Sequence, residues 1–559
     1  MGIPESLQKH HRKIFYGLWL LMSIVQAAGT GLFDDEAYYW VYSKYPDWGY
    51  FDHPPMIALL IRAGYSIFQN ELGVRLIIVL MSAATIAAID SLTEKKNDRL
   101  LYALLLSMFL LQIGSIIAVP DVPLMFFIAL FFLSYRKFSA DYRVVNAVVL
   151  GVVTALMLYS KYHGVLIIIC TLLSNVQLFK KPATYIAGVV AIALFFPHLW
   201  WQYQNDFISV QYHLFERNAT DYQLSFTTEY IFGQILLAGP LIGWLLLWAA
   251  GKHKAVNKTE KALQWTFFGV YGLFFISTFK GRSEANWTVP ALVSLIVLAH
   301  QYLNNHPKQS RWVMKLLVPS LVIVLAVRVY MLLDIAPLKF LKKDEFHKNK
   351  EWAAAVKNAA GDKPVAFINS YQRASKYWFY SGDTGFSVNN VYYRRNNFNF
   401  WPLEAPIQNR KVLVVSPIYF GIFPDSIANP KQPTWARLAD PYFSFSQIRI
   451  YSPSVMNAPG GRLETELKLV IPESLQQHSS FQVYDTARVG LTIYFHDNDP
   501  GLMLQTPLTL NDLVNNKTTV NFNLPETLLK GRYRARWSIN SCLPGLPTLN
   551  SSSYAVVID

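Results

Sequence analysis

The chain has 559 residues, of which 52% are hydrophobic and only 15% are charged, and its formal net charge is +14 at pH 7. This apolar and unevenly patterned composition excludes an ordinary soluble enzyme. Cys170 lies in an apolar run and Cys542 near the C-terminus, so no intrachain disulfide is expected.

Long apolar runs alternate with short polar loops from about residue 14 to about residue 332. Each run is close to the roughly 20 residues that cross a bilayer as a helix. We therefore predict an all-α polytopic membrane domain of about eleven transmembrane helices, the first of which is a retained span and not a cleaved signal. The predicted spans are 14–32, 73–91, 100–118, 122–135, 144–160, 164–179, 184–199, 228–250, 262–278, 287–303 and 313–332.

The loops between these spans differ in their content of Lys and Arg. Loops rich in basic residues alternate with loops that carry far fewer: KHHRK, EKKNDR, YRKFSADYR, FKKP, GKHKAVNKTEK and HPKQSR are the basic ones. This bias places the basic loops and the N-terminus in the cytoplasm, and an odd number of spans then places the C-terminal region outside. The charge of +14 follows from this topology and requires no nucleic-acid partner.

Clusters of ionisable residues fall at the outer ends of successive predicted spans. Charge near hydrocarbon is expensive, so a face that gathers carboxylates, lysine, arginine and histidine is typical of a reaction site at the membrane surface. The six clusters are DDE at Asp34–Glu36, DHPP at Asp52–Pro55, PD at Pro120–Asp121, SKYH at Ser160–His163, FER at Phe215–Arg217 and GRSEANW at Gly281–Trp287.

The DDE triplet exceeds what helix capping requires. Three adjacent carboxylates repel one another, and one is enough to cap a helix that starts at Ala37. A general base needs a carboxylate with a suitable pKa, which like-charged neighbours help to arrange. We predict that Asp35 is the base and Asp34 the cap, with Glu36 open between the two roles. In the following loop, Asp52 is predicted to cap a short interfacial helix that begins at Pro54.

The segments DDEAYYW and WGYFDHPPM resemble the ArnT-like and protein mannosyltransferase-like GT-C glycosyltransferases, the bacterial glycosyltransferase family 39/83 group. PDVPLMFF, SKYHGVL, PHLWWQYQNDF with HLFER, and RSEANWTVPAL occur in the family's order and spacing. The resemblance covers roughly residues 10–305. It implies an enzyme of the bacterial cytoplasmic membrane that moves a sugar, with inversion, from a polyprenyl-phosphate carrier. The acceptor hydroxyl belongs to a cell-envelope lipid, glycan or protein at the outer face, and membrane lipids surround the enzyme.

The resemblance also implies roles for individual residues. Asp35 matches the family's catalytic Asp, Glu36 continues the acidic pair, and Asp121 matches the second outer Asp. Before the two prolines, ArnT enzymes have an acidic residue and a lysine, whereas this chain has Asp52 and His53. The histidine departs from the pattern and weakens the expectation of a permanent positive charge at that position. Positions that face the carrier phosphate correspond here to Lys161, His163 and Arg217.

The chemistry of such a transfer requires a base, fixed positive charge and a groove for an isoprenoid chain. Asp35 would supply the base, which contributes about 10²–10⁴ in rate. Lys161, Arg217 and Arg282 would stabilise the leaving phosphate, and preorganised charge is usually the larger contribution. We therefore predict catalytic residues Asp35 and Glu36; donor-phosphate ligands His53, Lys161, His163, Arg217 and Arg282; and substrate-positioning residues Asp34, Asp52, Asp121, Glu284 and Asn286.

Each of these residues also has a structural explanation when it is taken alone. Lys161 and Arg217 could snorkel from span ends toward lipid head groups. Asp121 could cap the next span, and Glu284 could simply pair with Arg282 across a turn. The coincidence of all of them on one face is what favours a functional site.

Histidines are more often hydrogen-bonded interface residues than metal ligands. No cofactor is certain, although a divalent metal held by Asp52 and His53 stays open, because their spacing is not diagnostic. Asn286 could be a helix cap and Trp287 a residue of the interfacial aromatic belt.

Beyond the spans the composition resembles that of a soluble protein. EWAAAVKNAA, PVAFIN and KVLVVSP predict a small α/β unit, whereas LETELKLVI, RVGLTIYF, TTVNFNL, YRARWSIN and YAVVID alternate as strands do and predict a β-sandwich. We predict a catalytic membrane domain at 1–335, an extracytoplasmic α/β domain at 336–455 and an extracytoplasmic β-sandwich at 456–559. The extracytoplasmic region is expected to recognise the acceptor or to cover the site.

A transporter or flippase of a polyprenyl-phosphate or other anionic glycolipid is the alternative function. Transporters usually place charged residues near mid-membrane and use broken helices in inverted repeats. Here the charges lie at the outer ends and no inverted repeat is visible. An inactive binding or scaffolding protein is a third hypothesis.

Overall fold

The computed structural model describes residues 5–93, 97–216, 222–335, 344–418, 421–431, 433–476, 487–495, 501–514, 518–543 and 546–559. These residues form two compact units, Met1–His347 and Lys348–Asp559. The first unit is helical and the second contains β-sheets. A helical N-terminal region followed by a sheet-containing C-terminal domain is therefore confirmed.

The first unit packs apolar helices around a shared core. Its α-helices are α1 (Glu5–Gly29), α2 (Asp34–Lys44), α3 (Met56–Tyr65), α4 (Glu71–Leu92), α5 (Asp98–Ser107), α6 (Phe109–Ile113), α7 (Asp121–Asp141), α8 (Val144–Ser160), α9 (Gly164–Ser174), α10 (Pro182–Gln204), α11 (Ile208–Gln211), α12 (Leu224–Ala238), α13 (Gly243–Lys252), α14 (Lys258–Ser277), α15 (Leu292–Asn304) and α16 (Pro307–Leu332). Helix α15 is buried on nearly every side, as its continuous apolar sequence requires. Helices α10 and α16 expose large apolar side chains such as Val189 and Val322, a pattern typical of contact with lipid.

Helices α4, α7, α10 and α16 are each long and apolar enough to cross a membrane. Three further spans result if each sharply bent helix pair among the described residues is counted as one, which gives up to 7. The bent pairs are α1 with α2, α5 with the helical segment Phe109–Ile116, and α12 with α13.

Two predicted spans, 100–118 and 228–250, are bent and not continuous. The first bends by 75° next to Met108, whose backbone is extended. The second bends by 91° where Gly239 and Pro240 follow α12. Gly239 has φ of +153°, which favours glycine, and a proline inside a helix removes a backbone donor. These local breaks explain why an apolar run of the right length is not a straight helix here.

The second unit contains helices α17 (Asn349–Ala360) and α18 (Tyr371–Ser381) and two short helical turns, Glu473–Gln476 and Leu510–Val514. Its strands are β1 (Val365–Ile368), β2 (Gly385–Val388), β3 (Val412–Ser416), β4 (Asp425–Ser426), β5 (Trp435–Ala439), β6 (Arg449–Tyr451), β7 (Val455–Ala458), β8 (Arg462–Glu466), β9 (Lys468–Val470), β10 (Arg488–Tyr494), β11 (Leu502–Thr509), β12 (Thr519–Asn523), β13 (Gly531–Ile539), β14 (Thr548–Leu549) and β15 (Tyr554–Ile558).

These strands form a mixed sheet and a mainly antiparallel group. The mixed sheet has the order β2-β1-β3-β5-β4, with β1 parallel to both β2 and β3. The larger sheet has the order β11-β10-β13-β15-β7, with β14 paired to β13, and it is antiparallel except that β7 runs parallel to β15. The strands predicted from the alternating sequence are present. Their apolar side chains pack into a core that includes Trp537, Leu491 and Val556. The mixed sheet and the antiparallel group lie within one compact unit.

Candidate active site

The DDE triplet lies at the sharp bend between α1 and α2, which meet at 87°. The N-cap of α2 is Phe33, and Asp34 is the first helical residue. The predicted capping role of Asp34 is therefore wrong, because Phe33 occupies the N-cap position. The Phe33 N–H donates to Glu36 Oε2 at 2.8 Å. The three acidic side chains still lie in the first turn, where the helix dipole stabilises negative charge.

Glu36 is fully buried and its carboxylate is held by a buried arginine. Arg75 Nε donates to Glu36 Oε1 at 2.7 Å, and Arg75 Nη2 donates to Oε2 at 2.5 Å. The Ala118 N–H adds a third donor to Oε1 at 2.6 Å. Because each oxygen accepts two hydrogen bonds, Glu36 is placed to fix the turn and not to remove a proton.

Arg75 also joins this turn to the end of α1. Its guanidinium donates to the carbonyl oxygens of Ala27, Thr30 and Gly31 at 2.6–3.0 Å. Sequence reasoning missed Arg75, although a single arginine inside the predicted span 73–91 was a signal that could have found it.

Asp35, between Asp34 and Glu36, is half-buried.

A second ion pair joins three of the predicted clusters. Asp121, the first residue of α7, accepts a hydrogen bond from Lys161 Nζ at 2.7 Å. Asn286 Nδ2 donates to the other oxygen of Asp121 at 3.3 Å. The N-cap of α7 is Pro120, so capping is not the role of Asp121. Lys161 is buried against a carboxylate and does not snorkel toward head groups.

The SKYH cluster contacts other helices through its ring side chains. The His163 ring lies 5.4 Å from the ring of Phe274 and 6.2 Å from that of Trp287. The Tyr162 hydroxyl lies 3.1 Å from His198 Nε2 and accepts a hydrogen bond from Gln202 Nε2 at 2.8 Å. His198 and Gln202 belong to the segment PHLWWQYQNDF, for which the sequence predicted no individual roles.

Asp52 is buried and is not the cap of the following helix, because α3 begins at Met56 with Pro55 as its N-cap. The Tyr42 hydroxyl instead donates to Asp52 Oδ1 at 2.5 Å. His213 Nε2 lies 2.9 Å from the backbone oxygen of Asp52. The His53 ring packs against Tyr39 of α2, with 5.4 Å between the ring centroids.

These contacts close into a circuit that begins and ends on α2. The ring of Tyr162 lies 5.7 Å from that of His213, which links the SKYH cluster to the DHPP cluster. The other links are the hydrogen bonds of Glu36 with Ala118, of Asp121 with Lys161 and of Asp52 with His213 and Tyr42. Short steps along the chain, 118–121 and 161–162, join them. The circuit runs through Glu36, Ala118, Asp121, Lys161, Tyr162, His213, Asp52 and Tyr42. The structure therefore connects the DDE, PD, SKYH and DHPP clusters through contacts that reach α2 at Glu36 in its first turn and at Tyr42 near its end.

Among the described phosphate ligands that the sequence predicted, Lys161 belongs to this circuit, whereas His53, His163 and Arg282 do not. Arg282 is largely exposed, and its Nε lies 3.4 Å from Glu229 Oε2. Its ion-pair partner is thus Glu229 and not Glu284, which corrects the alternative pairing expected from the sequence. Arg217 lies outside the described residues.

The described residues form one group of potential metal ligands, and it does not include Asp52 and His53, which the sequence left open as a metal site. That group is Asp334, Asp344 and His347, whose ligand atoms lie within 4.8 Å of one another. Burial acts to raise the pKa of Asp344, but hydrogen bonds from Phe346 and His347 outweigh it and leave that pKa below its usual range.

Comparison with known proteins adds sequence and fold similarity. Residues 52–201 match the dolichyl-phosphate-mannose-protein mannosyltransferase family. The lipid A galacturonosyltransferase RgtD of Rhizobium johnstonii is 27% identical over 298 residues, which are 51% of this chain and 63% of RgtD. The chain thus spans less than two thirds of that relative.

The fold is similar to that of ArnT from Cupriavidus metallidurans. The structure bound to undecaprenyl phosphate has a TM-score of 0.55 at 13% identity and covers 76% of this chain and 97% of ArnT. The apo structure has a TM-score of 0.56 at 14% identity, with the same coverage. The resemblance predicted from the sequence is confirmed: the chain is similar in sequence to membrane glycosyltransferases of the protein mannosyltransferase type, and in fold to ArnT.

Proposed function

We propose that this chain is an inverting integral-membrane glycosyltransferase that moves a sugar from a polyprenyl-phosphate-linked donor to an acceptor hydroxyl. The observation that carries the proposal is the circuit of contacts that connects carboxylates, Lys161 and His213 to the two ends of α2. RgtD, a lipid A galacturonosyltransferase, supports sugar transfer to an envelope lipid. The undecaprenyl phosphate in the ArnT structure supports the donor class.

The reaction forms one bond and breaks one bond at the anomeric carbon. The acceptor oxygen attacks that carbon, its proton passes to Asp35, and the bond to the phosphate oxygen breaks with inversion. Polyprenyl phosphate leaves with the bonding electron pair, and fixed positive charge stabilises it. Asp35 is the base in this scheme because Glu36 already accepts four hydrogen bonds.

The purified chain supplied with a polyprenyl-phosphate sugar and an acceptor is expected to release polyprenyl phosphate. A transporter would move the lipid without breaking its sugar–phosphate bond. Chromatography of the extracted lipids distinguishes these outcomes, with donor incubated without protein as the control. Transport of intact donor with no polyprenyl phosphate released would contradict the proposal.

Lys161 is the proposed ligand of the donor phosphate within the circuit. Its ammonium group donates to Asp121 and can donate a further hydrogen bond to a phosphate oxygen of the donor. The Lys161→Gln variant is expected to bind polyprenyl phosphate about 10- to 100-fold more weakly, the range for one lost charge-assisted hydrogen bond. Titration of the detergent-solubilised protein with the lipid measures this change.

Lys280→Gln is the matched control for this titration, because Lys280 is exposed and lies in the same outer region as the GRSEANW cluster. It should bind the lipid as the wild type does. Equal binding by Lys161→Gln and the wild type would leave Lys161 with only a structural role beside Asp121.

The finer predictions belong to the same proposal. We propose about eleven spans, with the N-terminus in the cytoplasm of a bacterial cell and the C-terminal unit outside the cytoplasmic membrane. His53, His163, Arg217 and Arg282 stay predicted ligands of the donor phosphate. The substrate-positioning residues, the boundary between 336–455 and 456–559, and the role of that region in acceptor recognition also stay predictions.

A further inference from the structure

The segment Asp344–His347 contacts the turn that carries the candidate base, although 311 positions separate the two residues in contact. The Asp34 N–H donates to Glu345 Oε2 at 3.3 Å. The ring of Phe346 packs against the ring of Phe33, with 6.0 Å between their centroids. One polar and one apolar contact therefore join the segment that follows α16 to the start of α2.

This segment has internal hydrogen bonds that fix its shape. Asp344 Oδ1 accepts the backbone N–H groups of Phe346 at 3.0 Å and His347 at 3.2 Å. The other carboxylate oxygen lies 3.0 Å from His347 Nδ1. The His347 ring in turn packs against Tyr330 of α16, at 5.0 Å between centroids. Glu345 is thus presented from a turn that is anchored to the last helix of the unit.

The first backbone N–H groups of a helix have no partner within the helix. In α2, Glu36 satisfies the N–H of Phe33, and Glu345 satisfies the N–H of Asp34. Asp35 is the next residue, so its backbone position depends on both carboxylates. A misplacement of about 1 Å in a reacting group can lower a rate about 100-fold.

We propose that Glu345 is a positioning residue for the transfer reaction, and that it acts by holding the first turn of α2 through the Asp34 N–H. This inference rests on the proposed function, in which Asp35 removes the acceptor's proton. Glu345 does not touch substrate in this proposal. Its carboxylate oxygen serves as a hydrogen-bond acceptor, so an amide oxygen in the same place should serve as well.

The test compares Glu345→Ala with Glu345→Gln in the purified full chain. In Glu345→Ala, kcat should fall about 10- to 100-fold with KM unchanged, because the misplaced base affects the transition state and not substrate binding. Glu345→Gln should retain most of the wild-type kcat. Hydrogen exchange of the backbone N–H groups at the start of α2 should become about tenfold faster in Glu345→Ala and stay slow in Glu345→Gln.

Glu351→Ala is the matched control, since it removes an exposed carboxylate from the first turn of α17. It should change neither kcat nor exchange in α2. Wild-type kcat and exchange in Glu345→Ala would overturn the inference. A Glu345→Gln variant as defective as Glu345→Ala would also overturn it, because the amide still offers an acceptor oxygen.

The exchange measurement separates this inference from the proposed function. If the wild type transfers no sugar, the proposed function fails, and exchange at α2 still decides whether Glu345 holds the turn. If transfer occurs and Asp35→Asn abolishes it while the Glu345 variants behave as the wild type, only the present inference fails.

Discussion

Asp35→Asn is expected to lower turnover by about 10²–10⁴, the usual contribution of a general base, while donor binding stays close to that of the wild type. Asparagine has nearly the same shape as aspartate but does not accept a proton at neutral pH. The half-buried position of Asp35 at the start of α2 lets the substitution change charge with little change in packing. Release of polyprenyl phosphate measures turnover, and lipid titration measures donor binding.

Asp206→Asn is the matched control for this change. Asp206 is exposed and has φ of +53°, a conformation that asparagine adopts readily. Its turnover should equal that of the wild type. Near-normal turnover in Asp35→Asn would show that another group takes the acceptor's proton, and the base assignment would fall.

Arg75→Ala is expected to destabilise the first unit by about 3–5 kcal/mol, because it leaves the fully buried Glu36 carboxylate without its ion-pair partner. Arg75→Lys should restore little of this loss. A single ammonium group cannot reproduce the bidentate contact with Glu36 together with the bonds to the carbonyl oxygens of Ala27, Thr30 and Gly31. Thermal unfolding of the detergent-solubilised protein measures the change.

The double variant Arg75→Met with Glu36→Gln should be more stable than Arg75→Ala, since it removes both buried charges and keeps an acceptor oxygen for one of the two N–H groups that Glu36 accepts. Arg136→Ala is the control, because Arg136 is exposed on α7 and donates to the Ser91 carbonyl. Its free energy of unfolding should lie within about 0.5 kcal/mol of that of the wild type. Wild-type stability in Arg75→Ala would contradict the structural importance of this ion pair.

The sequence was sufficient to predict that the candidate residues lie at the ends of apolar runs, and Asp35, Asp121 and Lys161 do lie at helix ends. A charged group is excluded from hydrocarbon unless it has a partner, so the apolar pattern itself shows where Asp35, Asp121 and Lys161 can lie. A different pattern predicted the strands of the second unit, where side chains alternate between a buried and an exposed face. Both patterns are local and periodic, and a reader of the sequence alone can see them.

The partners of these residues were decided by the tertiary structure. Glu36 was open between two roles until Arg75 of α4 was seen to lie against it. Lys161 alone is compatible with snorkelling, and only the packing of α7 against α8 shows that Asp121 holds it. These contacts join residues 39 and 40 positions apart, and no periodicity in the chain encodes such a pairing.

Helix ends were a second matter that the sequence did not settle. Asp34 and Asp52 are good capping residues by type, yet Phe33 and Pro55 occupy the N-cap positions. A cap is favourable by only about 1 kcal/mol, which is less than the cost of leaving a buried group such as Asp52 without its hydrogen-bond partner Tyr42. The chain alone thus predicted that the candidate residues lie at the ends of apolar helices. The fold determined which carboxylates form ion pairs and hydrogen bonds. A buried carboxylate is stabilised by its contact partners, and those partners lie far away in the sequence.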